Sequence, residues 1–240
     1  MSIKAPVLFL KGILLILLIP FLSLAQNEVR VYSSFDAFTK LKIEGARMGL
    51  NVTYTRNPND IQTHGIFVLD SDLAALNQTY TLAQSGYNAV LFIPIAAQAI
   101  SEDLLSLFGV GIAAEQVVPR TNNLVIEGEE WAEFFSGLKL GQSGRISVIS
   151  YLEPISGNAR CVGTGFISKS TNQQRCLAVE ISFGNGKALL MIVPRAYTGY
   201  GVNERWAREY MPPIMDNTIE QLDNKQAAIQ ILRWVMNGHF

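Results

Sequence analysis

Reactive side chains are scarce in this chain of 240 residues, which carries only two histidines and two cysteines. No Cys-x-x-Cys spacing occurs, so a dithiol redox centre is not expected. No metal site and no cofactor loop is expected. No cluster of Lys or Arg follows the first 25 residues, and nucleic-acid binding needs such a basic footprint. That function class is set aside. No internal repeat and no low-complexity tract is visible, which turns attention to what punctuates the chain.

The amino terminus is the first such feature. Lys4 and Lys11 are the only charges before Glu28, and residues 12–25 are almost wholly apolar. A basic start, a short apolar run, the helix breaker Pro20 and the small residues Ser23 and Ala25 fit a secretory signal peptide cut after Ala25. The alternative is an uncleaved anchor, in which Lys11 snorkels and the apolar stretch is longer. Cleavage removes two positive charges from a formal net charge of −1 and leaves −3. The expected layout is thus a signal peptide over 1–25 and a single domain over 26–240, secreted or periplasmic.

Both cysteines, Cys161 and Cys176, lie in the exported part. In an oxidising compartment an isolated pair is most simply a disulfide. Their flanks read as two strands joined by a polar loop at 168–174. Such a bridge closes a loop of about 15 residues, worth roughly 3 kcal/mol in the chain-entropy account. A nucleophilic thiol is the alternative, but no histidine is near in sequence.

Along the chain, 29–33 reads as a strand and 35–48 as an amphipathic helix, with Phe35, Phe38, Leu41 and Met48 on its apolar face. Residues 50–54 form a second strand, and 57–60 carry turn chemistry. The continuous apolar runs 65–70 and 88–93 suit strands buried in a parallel sheet. A helix over 73–84, capped by Asp72 and stopped at Gly86, lies between them. A further helix over 102–108 ends at Gly109. This alternation predicts an α/β fold of three layers. From residue 115 the pattern changes to strands at 123–127, 144–150, 161–167, 176–183 and 188–193. Asn185-Gly186 signals a hairpin, and some of these strands should extend the sheet antiparallel. A last helix runs from about 222 to 237, with Asp223 as its cap. Asn51 and Asn77 match the N-glycosylation pattern, yet they fall in an expected strand and an expected helix.

The runs 66–70 and 89–93, the helix reaching Gly86, the strand 186–193 and the helix from Asp223 to residue 235 together resemble the class I glutamine amidotransferase-like superfamily. More narrowly, the chain looks like non-catalytic periplasmic and gliding-motility auxiliary members. The resemblance covers most of residues 28–238. It implies a flavodoxin-like (amidotransferase-like) three-layer α/β fold, with a mostly parallel sheet and an antiparallel extension in the second half. Catalytic relatives set a Cys on a sharp turn after the strand that ends here at Ile93, where this chain has Pro94, Ile95, Ala96 and Ala97. They also carry a His–Glu pair that activates the thiol. Here the histidines are His64 and His239, and neither falls at that place. Relatives acting on sugars tend to carry a His after the same strand, which is absent too.

Two stretches could still hold function. Asp70, Ser71 and Asp72 follow an expected central strand at the edge where ligands bind in open α/β sheets. Their simpler role is to turn the chain and cap a helix. His64 lies a whole strand away from Ser71, which argues against a dyad. Residues 195–210 are rich in Arg, Tyr and Trp, the types that dominate binding hot spots. Arg195, Tyr197, Tyr200, Arg205 and Trp206 are the candidates there, the alternative being a packed surface loop. The function expected is an exported, non-catalytic domain that binds a protein partner or small ligand at a sheet edge. The alternatives are an unusual hydrolase using Asp70, Ser71 or Asp72, and a membrane-tethered module.

Overall fold

A computed structural model describes residues 27–34, 38–69, 73–94, 100–114, 124–125, 139–140, 145–147, 150–168, 173–193, 195–197, 214–216, 219–220 and 223–238. The first half alternates as its periodicity predicts. Strand β1 (Glu28–Tyr32) leads to α1 (Thr39–Arg47) and β2 (Asn51–Thr55), then a 3-10 turn at Pro58–Asp60 leads to β3 (Gly65–Val68). Next come α2 (Ala74–Gln84), β4 (Asn88–Pro94) and α3 (Ser101–Phe108). The second half holds β5 (Val110–Ala114), β6 (Leu124–Val125), β7 (Lys139–Leu140), β8 (Arg145–Ser147) and β9 (Ser150–Pro154). It closes with β10 (Ala159–Ser168), β11 (Gln173–Phe183), β12 (Gly186–Val193), β13 (Arg195–Tyr197) and α4 (Asn224–Asn237).

Seven strands form one sheet in the order β10-β11-β12-β4-β3-β1-β2. The five from β12 to β2 are parallel, and β11 and β10 extend them antiparallel. The mixed sheet expected from the sequence is present. The chain steps one way along the sheet from β1 to β2 and the opposite way from β3 to β4. Right-handed crossovers therefore place α1 and α2 on opposite faces. Helix α4 packs with α1 on its face, and α2 packs on β3, β4 and β12. Burial follows: every residue of β3 is buried, as are Ala89 to Ile93 of β4 and Ala188 to Ile192 of β12. Trp234 of α4, Phe67 of β3 and Phe92 of β4 are among the largest fully buried side chains. Continuous apolar strands are the mark of a sheet covered on both sides. The remaining strands pair as separate two-stranded ladders, β5 with β9, β6 with β7 and β8 with β13.

The bridge between Cys161 and Cys176 is formed, with Cα atoms 5.8 Å apart. It ties β10 to β11 where the ladder is irregular, with register shifts between Cys161 and Gly163 and between Gly163 and Thr164. A disulfide is consistent with an extracellular or periplasmic setting. Among the described residues, no helix is long and apolar enough to cross a membrane. The expected signal segment lies outside them.

Two local expectations need correction. The hairpin signalled by Asn185-Gly186 exists, but Phe183 pairs with Gly186 and the two-residue turn is Gly184-Asn185, with φ +65° at Gly184. Gly186 serves packing instead, because a Cβ there would lie 2.1 Å from the Ala83 carbonyl oxygen at the end of α2. Asp223 stands at the N-cap of α4 without a side-chain capping bond. Its carbonyl oxygen accepts from the Ala227 N–H at 3.0 Å, as backbone does in any first turn. The carboxylate that does cap a helix is Asp216, whose Oδ1 accepts from the Lys40 N–H of α1 at 2.7 Å.

Candidate functional site

Because β1, β2, β3, β4 and β12 run the same way, their carboxyl ends line one edge of the sheet. Neighbouring strands β1 and β3 send the chain in opposite directions, so the topological switch point lies between them. The described residues there are tightly held. Tyr32, Ser33 and Leu69 are buried. Ser33 offers its carbonyl oxygen to the Tyr54 hydroxyl at 2.6 Å, and the Leu69 N–H donates to the Phe92 carbonyl at 3.0 Å. Aromatic rings line the same end, with Tyr32 and Phe67 centroids 6.3 Å apart and Phe38 stacked on Tyr54 at 6.0 Å.

Helix α1 opens at this edge, and a helix N-terminus is a ready seat for an anion. Here the chain's own Asp216 carboxylate takes that seat through Lys40. Helix α4 also begins on this edge, since its last turn reaches the start of β4, where Asn88 Nδ2 donates to the Val235 carbonyl at 3.0 Å. The two helices are joined beside the edge by Lys225 Nζ and Glu44 Oε1 at 3.0 Å.

The sequence-derived candidates fall on this geometry unevenly. Asp70 and Ser71 directly follow Leu69, yet they lie outside the described residues, as do Asp72, Tyr200, Arg205 and Trp206. Residues 195–197, read from the sequence as the start of a binding stretch or a packed surface loop, form strand β13, in which Arg195 pairs with Ser147 and Tyr197 with Arg145. The backbone there is committed to a ladder because β8 offers it an antiparallel partner. Strands β3 and β12 flank β4, so the chain leaves the sheet towards Asp70 and towards Arg195 at points about 10 Å apart.

His64 sits at the other end of the sheet. It precedes β3, at the end of the strand opposite to the one that Leu69 follows; Ser71, the other half of the dyad considered from the sequence, lies outside the described residues. Its Nδ1 accepts from the Asn88 N–H at 3.1 Å, and its ring meets Tyr87 edge-on at 5.5 Å. Burial holds its pKa below the ordinary histidine value of 6.5. The acceptor role of Nδ1 places the remaining proton on Nε2. His239 and residues 95–97 lie outside the described residues.

One polar group escaped the sequence reading altogether. Glu180 of β11 is 1 % exposed. Its Oε1 accepts from Arg160 Nη2 at 2.6 Å and Lys187 Nζ at 3.1 Å, and its Oε2 accepts from Trp234 Nε1 at 3.0 Å. Both oxygens are engaged, so this carboxylate ties β10, β11, β12 and α4 and has no base to offer. Its one signal in the sequence is a lone acid inside the apolar run 177–181. Among the described residues no group of three or more His, Cys, Asp or Glu is placed to hold a metal ion.

No protein-family model and no curated protein matches the sequence. Solved structures do. A protein described as a GMP synthase subunit, from Thermoplasma acidophilum, superposes with a TM-score of 0.52, over 88% of this chain and 94% of that one, at 6% identity. A glutamine amidotransferase from Thermotoga maritima gives 0.47, over 88% and 98%, at 13% identity. The likeness to the first is one of fold, and it is the α/β fold that the sequence led us to expect.

Proposed function

We propose that this chain is an exported, non-catalytic domain of amidotransferase-like fold that binds a protein partner or small ligand at the carboxyl edge of its sheet. The observation that carries the reading is topological. Strands β3 and β12 deliver Asp70–Ser71 and the Arg-, Tyr- and Trp-rich stretch 195–210 from the same edge, separated by one strand. Ligands of open α/β sheets bind at that edge. The non-catalytic part rests on Pro94 and residues 95–97 standing where the catalytic relatives carry a Cys on its turn. It also rests on His64 being held at the opposite edge by Asn88. Export rests on residues 1–25 and is supported by the disulfide.

The test compares the chain with its Arg195→Ala and Tyr197→Ala variants in capturing a partner from the compartment to which it is exported. Each variant should weaken capture about tenfold, the loss of one hot-spot contact, and keep its melting temperature. A lowered melting temperature with unchanged capture overturns the assignment of these residues to binding.

A further inference from the structure

Parallel neighbours are usually joined by a crossover of a dozen or more residues, most often a helix that covers the sheet. Strands β1 and β2 are joined through α1, and β3 and β4 through α2. The step from β2 to β3 is different. It spans residues 56–64 with a single 3-10 turn, too little to cover the face beneath. An open trough of about 610 Å³ remains over β1 and β2.

The strands are built for that exposure. Register places Arg30 opposite Thr53 and Val31 opposite Tyr54, so the two strands alternate together. Val29, Val31 and Val52 are buried in the core, whereas Glu28, Arg30, Thr53 and Thr55 line the trough with Asn59 and Asp60. These side chains hold one another in place. Glu28 Oε1 accepts from Arg30 Nε and from the Thr53 hydroxyl, both at 3.1 Å, and Glu28 Oε2 faces Arg30 Nη2 at 3.4 Å. Arg30 Nη1 donates to the Asp60 carbonyl at 2.8 Å. The Asp60 carboxylate accepts from the Thr55 hydroxyl at 2.8 Å and from Asn57 Nδ2 at 2.9 Å.

The Glu28 and Asp60 carboxylates and the Arg30 guanidinium thus line one trough, and the cation is already paired with Glu28. A net anion would meet Glu28 and Asp60, and a net cation would meet Arg30. What the trough retains is a pattern of donors and acceptors side by side, since a carboxylate accepts about four bonds and a guanidinium donates five. Hydroxyl groups match it, because each donates one bond and accepts others. We propose that this trough binds a neutral polyhydroxylated molecule, a sugar unit, through Glu28, Arg30, Asp60 and the two threonines. The site is distinct from the carboxyl-edge reading and does not depend on it.

The probe is D-glucose, titrated into the isotopically labelled protein while backbone amide resonances are followed. The expected result is saturable shifts at Thr53, Thr55 and Asp60, with a millimolar dissociation constant. Asp60→Ala, on the exposed turn, should weaken binding about tenfold with the remaining spectrum unchanged. Arg30→Gln should do the same, and Asp60→Ala keeps the test decisive if that core-strand variant unfolds. Glucose 6-phosphate and glucosamine should bind no more tightly than glucose. The proposal is overturned if neither D-glucose nor myo-inositol moves these amides, or if either charged sugar binds tenfold more tightly than the neutral one.

Discussion

His64 shows how its contacts settle what a side chain can do. A lone histidine invites a catalytic role, but here Nδ1 is spent on the Asn88 N–H that starts β4. Protonation would set two donors face to face. Burial lowers the folded-state pKa below 6.5, so the unfolded chain takes up the proton first as pH falls. The stability that neutral His64 contributes is therefore complete above about pH 6.5 and is lost progressively below it. Melting temperatures recorded between about pH 8 and about pH 5 should fall more steeply for the wild-type protein than for His64→Gln, whose side chain does not titrate. Parallel curves would show that His64 is not buried as described.

Single elements in this chain were legible where their signals are local. The apolar runs of β3 and β4 predict buried parallel strands, and the cysteine pair predicts its own bridge, because each depends on neighbours in sequence. Contacts made across the chain were not legible. Asp216 caps α1 from a distance of 176 residues, and no propensity reports that. The alternation of β1 and β2, polar at Glu28, Arg30, Thr53 and Thr55, was visible yet read only as short strands. It signals a half-covered sheet, which the short link from β2 to β3 explains.

Glu180 belongs to this scale as well, since its donors come from β10, β12 and α4. Breaking a buried charge interaction by removing one partner is expensive, although Arg160 and Lys187 are partly exposed and soften the cost. Glu180→Gln should lower unfolding stability by about 3 kcal/mol. Urea denaturation followed by tryptophan fluorescence measures it, with Trp234 one of the three tryptophans that report. An unchanged midpoint would mean that the four elements are held by apolar packing alone.

At the scale of the whole molecule, both ends of the sheet carry fixed internal contacts among the described residues, and the sequence-derived candidates follow strands that end at one of them. The amino end is closed by His64, Asn88 and the last turn of α4. The carboxyl end carries the switch point between β1 and β3, and the chain leaves β3 and β12 from it. The fold was legible because alternating strands and helices with short links admit few topologies. The candidate site was legible only as a stretch of sequence, because Arg, Tyr and Trp together state a capacity for contact and not the identity of what is contacted.

Photo-crosslinking in the protein's own compartment tests the central claim most directly. A benzoylphenylalanine replaces Tyr197, in the stretch that follows β12, in one protein and the exposed Asn237 near the amino edge of the sheet in another. The account requires a discrete adduct from position 197 and none from position 237. Adducts from position 237 alone would place the working surface at the wrong end of the sheet and contradict it.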